Sequence, residues 1–221
     1  MEAIAFQIRE SYKTARTNIA YSIIKKGCKK ISFTSANKSE GKTVTSVNIA
    51  IALSQQVNTR VLIIDCDLRR PQIHNVLSIG FAPGVTNYLN GECTKEEVIR
   101  STKITNLYAV TYGAIPPNPS ELIGSPEVTR FIERLNREYD YIIFDSPPVG
   151  VVADALLLKE YIAGYILVTR ERKTTHGDIE KLLQNIKVTD SKPLGFIRVG
   201  VTREGKRGKR GYYYYYYYQY Y

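Results

Sequence analysis

The sequence predicts an α/β protein, a doubly wound and mainly parallel sheet flanked by helices. Three observations predict it. Short apolar runs alternate with segments of helical spacing along most of the 221 residues. Several runs are apolar on both faces, as buried parallel strands are. Three of them end in loops carrying Gly-Lys-Thr or Asp, where open α/β sheets gather their chemistry.

Element by element, Ile8, Tyr12, Ala15, Ile19 and Ile23 recur at helical spacing, so 7–26 is expected to be an amphipathic helix. Strands are expected at 31–34, 61–64, 107–110, 141–144, 165–168 and 194–197. Helices are expected between them at 43–57, 127–138, 153–161 and 175–186. Ser125-Pro126 supplies an N-cap followed by proline at the first helical position. From about residue 203 the chain loses all periodicity. Gly205 to Gly211 alternates glycine with Lys and Arg, and 203–221 is expected to be a disordered basic and tyrosine-rich tail.

Composition sets the outer limits. Hydrophobic residues at 43% and charged residues at 24% match ordinary globular usage, which excludes a disordered chain or a collagen. Three cysteines (Cys28, Cys66, Cys93) without paired spacing fit a reducing compartment, and with His74 and His176 they form no zinc-ligand pattern. No apolar run reaches the roughly 18–20 residues needed to span a bilayer, so a soluble cytoplasmic protein is expected.

The net charge of +10 is concentrated at two places. Arg9 to Lys30 nets +6 and Arg198 to Arg210 nets +5, leaving the remainder near neutral, which argues against one broad nucleic-acid face. Nine of the 18 tyrosines are Tyr212, Tyr213, Tyr214, Tyr215, Tyr216, Tyr217, Tyr218, Tyr220 and Tyr221. They form a bank of phenols, each a phosphate acceptor. Each phosphate adds about −1.5 to −2 charge, so roughly three would offset the basic stretch beside them.

Three loops carry chemistry. The first, Ser35 to Thr43, ends in Gly41-Lys42-Thr43 between a strand and a helix. In that phosphate-loop pattern Asn37, Lys38, Ser39, Glu40, Gly41, Lys42, Thr43 and Val44 bind ATP. Backbone amides wrap the phosphates, Lys42 neutralises β/γ oxygens and the Thr43 hydroxyl ligates Mg²⁺. Ala36 replaces the usual first glycine. The second loop, Asp65-Cys66-Asp67-Leu68-Arg69-Arg70, puts two carboxylates at a strand end, where a cation such as Mg²⁺ offsets their repulsion. The third, Asp145-Ser146-Pro147-Pro148, adds a further Mg²⁺ partner. Together they predict a Mg²⁺-dependent nucleotide-triphosphate site whose acceptor, water or an alcohol, is left open.

Asp65 to Pro71, Ile143 to Pro148 and Gly113-Ala114-Ile115-Pro116-Pro117-Asn118-Pro119-Ser120-Glu121-Leu122 resemble motifs of the bacterial tyrosine kinases of capsule and exopolysaccharide assembly. The resemblance runs from about Glu10 to the terminal tyrosines and implies a phosphate-loop fold akin to the septum-site and partitioning ATPases. It implies a kinase domain over 1–202 that transfers the γ-phosphate of ATP to the C-terminal tyrosines in trans. Lys42, Asp65 and Asp67 would then be catalytic, with Asp65 or Asp67 orienting or deprotonating the phenol. Thr43, Asp65, Asp67 and Asp145 would organise the metal, and Arg69 and Arg70 would serve substrate or regulation. Glu10, Lys13 and Arg16 resemble an oligomerisation motif, with Lys13 in place of an arginine.

The resemblance further implies a homo-oligomeric ring with an octamer as candidate size, a membrane-spanning activator of the polysaccharide co-polymerase type, and a cognate tyrosine phosphatase. No specific nucleic acid is expected. The chain would work at the inner face of the membrane through that partner. Two alternatives stand beside this. A septum-site or partitioning ATPase would carry a signature lysine where Asn37 stands. A non-catalytic regulatory subunit would bind ATP and offer its tyrosines to another kinase.

Overall fold

In a computed structural model, residues 2–24, 26–116 and 118–201 are described. The tail, with its nine tyrosines, lies outside them. Among the described residues one seven-stranded sheet forms the centre, in the order β3-β4-β2-β5-β1-β6-β7. The strands are β1 (Lys29–Ser35), β2 (Val61–Asp65), β3 (Arg100–Ser101), β4 (Leu107–Val110), β5 (Tyr141–Asp145), β6 (Gly164–Arg170) and β7 (Pro193–Val199). All neighbours pair in parallel except β3, which runs against β4.

Two-residue alternation divides β2, β4 and β5 between two cores. Val61 and Ile63 of β2, with Tyr141 and Ile143 of β5, pack with α1 (Glu2–Ser22) and α2 (Lys42–Ser54). Leu62, Ile64, Ile142 and Phe144 face the other way. They meet Phe131, Ile132 and Leu135, which belong to a helix at Pro126–Leu135. Both faces are apolar because both are covered, which is why the runs read as continuous rather than alternating.

The remaining helices are α3 (Ile73–Leu77), α4 (Val85–Leu89), α5 (Lys95–Val98), α6 (Pro119–Ile123), α7 (the Pro126–Leu135 helix) and α8 (His176–Val188). A 3₁₀ helix spans Ala153–Glu160. The helix expected over 153–161 is present and takes the tighter 3₁₀ winding. The first helix ends at Ser22, short of residue 26, and Gly27 beyond it has φ +84°, a left-handed conformation that suits glycine. The expected strands each lie inside an observed one. The short helices α3 to α6 and the two-residue β3 were not anticipated.

Candidate active site

β1, β5 and β2 are neighbours, and the register puts their carboxyl ends level: Phe33 is the partner of Asp145, and Asp145 of Asp65. The three chemistry-bearing loops therefore leave the sheet side by side. Sequence spacing alone says that each loop follows a strand; the strand order is what brings them together.

The first loop is braced internally before α2 begins. Ser39 (φ 60°) and Gly41 (φ 90°) take left-handed conformations that turn the chain into α2. The buried Glu40 carboxylate accepts the Asn37 N–H at 2.9 Å and the Thr174 hydroxyl. From the end of β6, Arg170 donates to the Ser39 carbonyl, and Lys173 donates to the carbonyls of Lys38 (2.6 Å) and Ser39 (3.2 Å). Lys38 and Ser39 are exposed, while Thr43 and Val44 are half-buried at the start of α2.

Lys42 is the electrostatic centre. Its Nζ donates to Asp145 Oδ1 at 3.0 Å and to Asp67 Oδ2 at 3.3 Å, with the ammonium almost wholly buried. Burial alone would push the lysine down, but the carboxylates of Asp145 and Asp67 outweigh it and hold the ammonium above its usual range. Asp145 is itself pushed up by burial, against the opposing pull of Lys42 and the nearby Thr43 hydroxyl. Its Oδ2 is buried without a hydrogen-bond partner.

Asp65 is placed differently from Asp67. Its Oδ2 accepts the backbone N–H groups of Gln72 (3.1 Å) and Ile73 (3.0 Å), and its Oδ1 accepts from Asp67 N–H at 3.3 Å. It thus holds the start of α3, and burial together with Asp145 lifts its pKa to about 8. Burial and Asp65 likewise push the Cys66 thiol up, so that side chain is held as an unreactive thiol.

A metal fits this setting in a particular way. Among the described residues no group of three His, Cys, Asp or Glu side chains is gathered closely enough to hold a metal ion. The orphaned Asp145 Oδ2 and the neighbouring Thr43 hydroxyl instead suit Mg²⁺, which takes one or two protein oxygens and completes its shell with water and phosphate.

Asp154 and Ser120 were missed by the sequence. Asp154, 3% exposed, accepts Arg69 Nε at 2.8 Å and the Ser120 hydroxyl at 2.6 Å. The signal was a lone acid amid Val-Val-Ala and Ala-Leu-Leu-Leu, an apolar setting that demands a partner. Arg70 is exposed, and its N–H donates to Asp67 Oδ1 at 3.2 Å. Far from this site, Lys13 pairs with Glu10 along α1 at 2.7 Å, while Arg16 donates to the Ala52 carbonyl of α2 at 3.0 Å. Two of the three expected oligomerisation residues thus bond within their own helix, and the third fastens that helix to the domain.

The family described as an AAA domain matches residues 28–194. The chain is 35% identical to the tyrosine-protein kinase YwqD of Bacillus subtilis, over 86% of this chain and 80% of that protein. It is 33% identical to the tyrosine-protein kinase CpsD of Streptococcus agalactiae, over 89% and 87%. Against the tyrosine-protein kinase ptk of Acinetobacter johnsonii, 33% identity covers 88% of this chain and 26% of that longer protein. Among solved structures, the kinase domain of the Escherichia coli tyrosine kinase ETK superposes with TM-score 0.84 at 29% identity, covering 92% of this chain and 80% of that one. The septum-site-determining protein MinD of Pyrococcus horikoshii, complexed with Mg-ADP, gives TM-score 0.64 at 26% identity, covering 77% and 70%.

Proposed function

Because the chain belongs to the bacterial tyrosine-protein kinases, nucleotide-binding enzymes of the AAA type, we propose that it is an ATP- and Mg²⁺-dependent autokinase. It transfers the γ-phosphoryl group of ATP to tyrosines of the run 212–221, delivered by a second copy. The observation that carries this is Lys42, buried between Asp67 and Asp145 beside an unsatisfied carboxylate oxygen.

When a triphosphate enters, Lys42 exchanges its two carboxylates for β/γ-phosphate oxygens, and loop 37–44 supplies backbone N–H donors. Asp145 and Thr43 would hold a Mg²⁺ ion, whose chemistry would be to neutralise charge on the phosphoryl group in transfer. Asp67, freed from Lys42, orients the incoming phenol and takes its proton. Asp65 has both oxygens engaged by backbone N–H groups, which favours Asp67 for that role. The phenol oxygen forms the new P–O bond as the β–γ bridge breaks, releasing ADP.

The tyrosine run lies outside the described residues. Its seven-residue linker, Gly205 to Gly211, spans at most about 25 Å, a reach compatible with delivery to an adjacent copy in a ring. The likeness to capsule-type kinases, among them the chimerical protein CapA2B2, supports a membrane-spanning activator and a place at the inner membrane face, and a cognate phosphatase is part of the same proposal. Among the described residues no helix is long and apolar enough to cross a membrane.

Incubation of purified protein with ATP-Mg²⁺ tests the proposal. Self-phosphotyrosine is expected, falling at least about 10²-fold in Lys42→Met. Phosphate release without phosphotyrosine would place the chain with the ATPases, and neither product would make it a regulatory subunit.

A further inference from the structure

The arginine at the mouth of the site is held in a way the transfer step does not explain. Asp154 grips Arg69 side-on, Nε to Oδ2 at 2.8 Å and Nη2 to Oδ1 at 3.4 Å. Ser120 donates to the same Oδ1 at 2.6 Å. Burial would push Asp154 up, but the hydrogen bonds from Arg69 and Ser120 overcome it and hold the carboxyl below its usual range. Three distant segments meet here: the loop after β2, the start of α6 and the 3₁₀ helix. The proline-rich stretch before α6 thus has a concrete task, which is to deliver Ser120.

Here the carboxylate is buried while the Arg69 side chain is 46% exposed, and its Nη1 makes no hydrogen bond among the described residues. One edge of the guanidinium is anchored and the other is presented. Arg69 stands two residues from Asp67, in the loop that leaves β2 at the carboxyl edge of the sheet where the candidate site lies. An anchored planar fork is preorganised for an oxyanion.

We propose that Arg69, aimed by Asp154 and Ser120 as positioning residues, binds a phosphate already present on the acceptor tyrosine run. This rests on the autokinase proposal above. From Lys206 to Tyr221 the chain has no acidic side chain. A side-chain oxyanion beside a target tyrosine of that run therefore arises when a neighbouring tyrosine has been phosphorylated. The first transfer is the slow one, and each phosphate improves capture of the run for the next.

The test uses full-length, phosphatase-treated protein saturated with a non-hydrolysable ATP analogue. Fluorescently labelled peptides of residues 203–221 are titrated by anisotropy: unmodified, carrying one phosphotyrosine, or carrying one glutamate in its place. Wild type is expected to bind the phosphopeptide about tenfold tighter than the unmodified one, a difference of about 1.4 kcal/mol. Arg69→Ala and Asp154→Asn should each cut that preference to within about twofold, and the double variant no further, because Asp154 acts through Arg69. Unchanged affinity for the ATP analogue shows the site intact. Ser120→Ala, expected to weaken the preference in part, serves as the second variant should Asp154→Asn fail to fold.

Equal binding of the two peptides by wild type, a preference surviving Arg69→Ala, or additive losses in the double variant would each overturn the proposal. Equal gains from glutamate and phosphate would overturn the assignment to phosphate. Binding is read without turnover, so a phosphopeptide preference in a protein that makes no phosphotyrosine would sink the autokinase proposal and leave the arginine arm standing.

Discussion

At Asp65 the carboxyl is fully buried, partnered in register with Asp145 and bonded only to backbone N–H groups. Its pKa of about 8 lies above the ordinary 3.8. A group whose folded value is raised contributes stability that is complete below about pH 4 and is lost as pH climbs through 8. Without nucleotide, the melting temperature should therefore fall between pH 5 and pH 9, and Asp65→Asn should flatten that fall by about 3 °C or more. Equal slopes in thermal melts of the two proteins would refute it. Residues of this kind were legible because an acid closing an aliphatic run has few structural excuses. The difference between Asp65 and Asp67 was not legible, since it depends on where the N–H groups of residues 72 and 73 come to lie. Asp154 escaped for the same reason: its partners are 34 and 85 residues away.

Between elements, the site is held by contacts that spacing does not reveal. The Thr34 hydroxyl of β1 donates to the Pro147 carbonyl at 2.8 Å and accepts the Val149 N–H at 3.2 Å, while Ser32 meets Ser146 at 2.6 Å. These bonds fasten the loop after β5 onto the end of β1, and Gly150 of that loop lies against Ala36 of the phosphate loop. The contact is so close that a Cβ at Gly150 would sit 2.2 Å from the Ala36 carbonyl oxygen. Gly150→Ala should accordingly displace the phosphate loop, costing about 1–3 kcal/mol in stability and about tenfold in nucleotide affinity, measured with a fluorescent ATP analogue. Unaltered affinity would show that the loop moves freely. Strands were the easiest elements to place because β-branched and aliphatic runs are continuous in a doubly covered sheet. The helices α3 to α6 have four or five residues each, too few for a 3.6-residue period to register. The 3₁₀ winding of 153–160 was hidden because its composition suits either helix.

Across the whole molecule, the proposed assembly turns on charge. Once phosphates on the tails outnumber what Arg69 and the basic stretch 203–210 offset, they would repel one another within a ring. Sedimentation before and after incubation with ATP-Mg²⁺ should show a fall in mass per particle, and an unchanged coefficient at full tail phosphorylation would refute the switch. The strand order, and with it the meeting of three loops, came from tertiary packing rather than from any local signal. That same order leaves the sheet with two unlike margins. On one side the antiparallel pair of residues in β3 is too short to template another strand. On the other, β7 pairs only with β6 among the described residues, yet Pro193 withholds a donor and the exposed Lys192 brings positive charge to the rim. Copies of this chain are thereby discouraged from zipping together backbone to backbone, and growth into fibrils is blocked at both borders. In the proposed assembly, contacts between copies would then be made by side chains on helices and loops, contacts that a change in charge can undo.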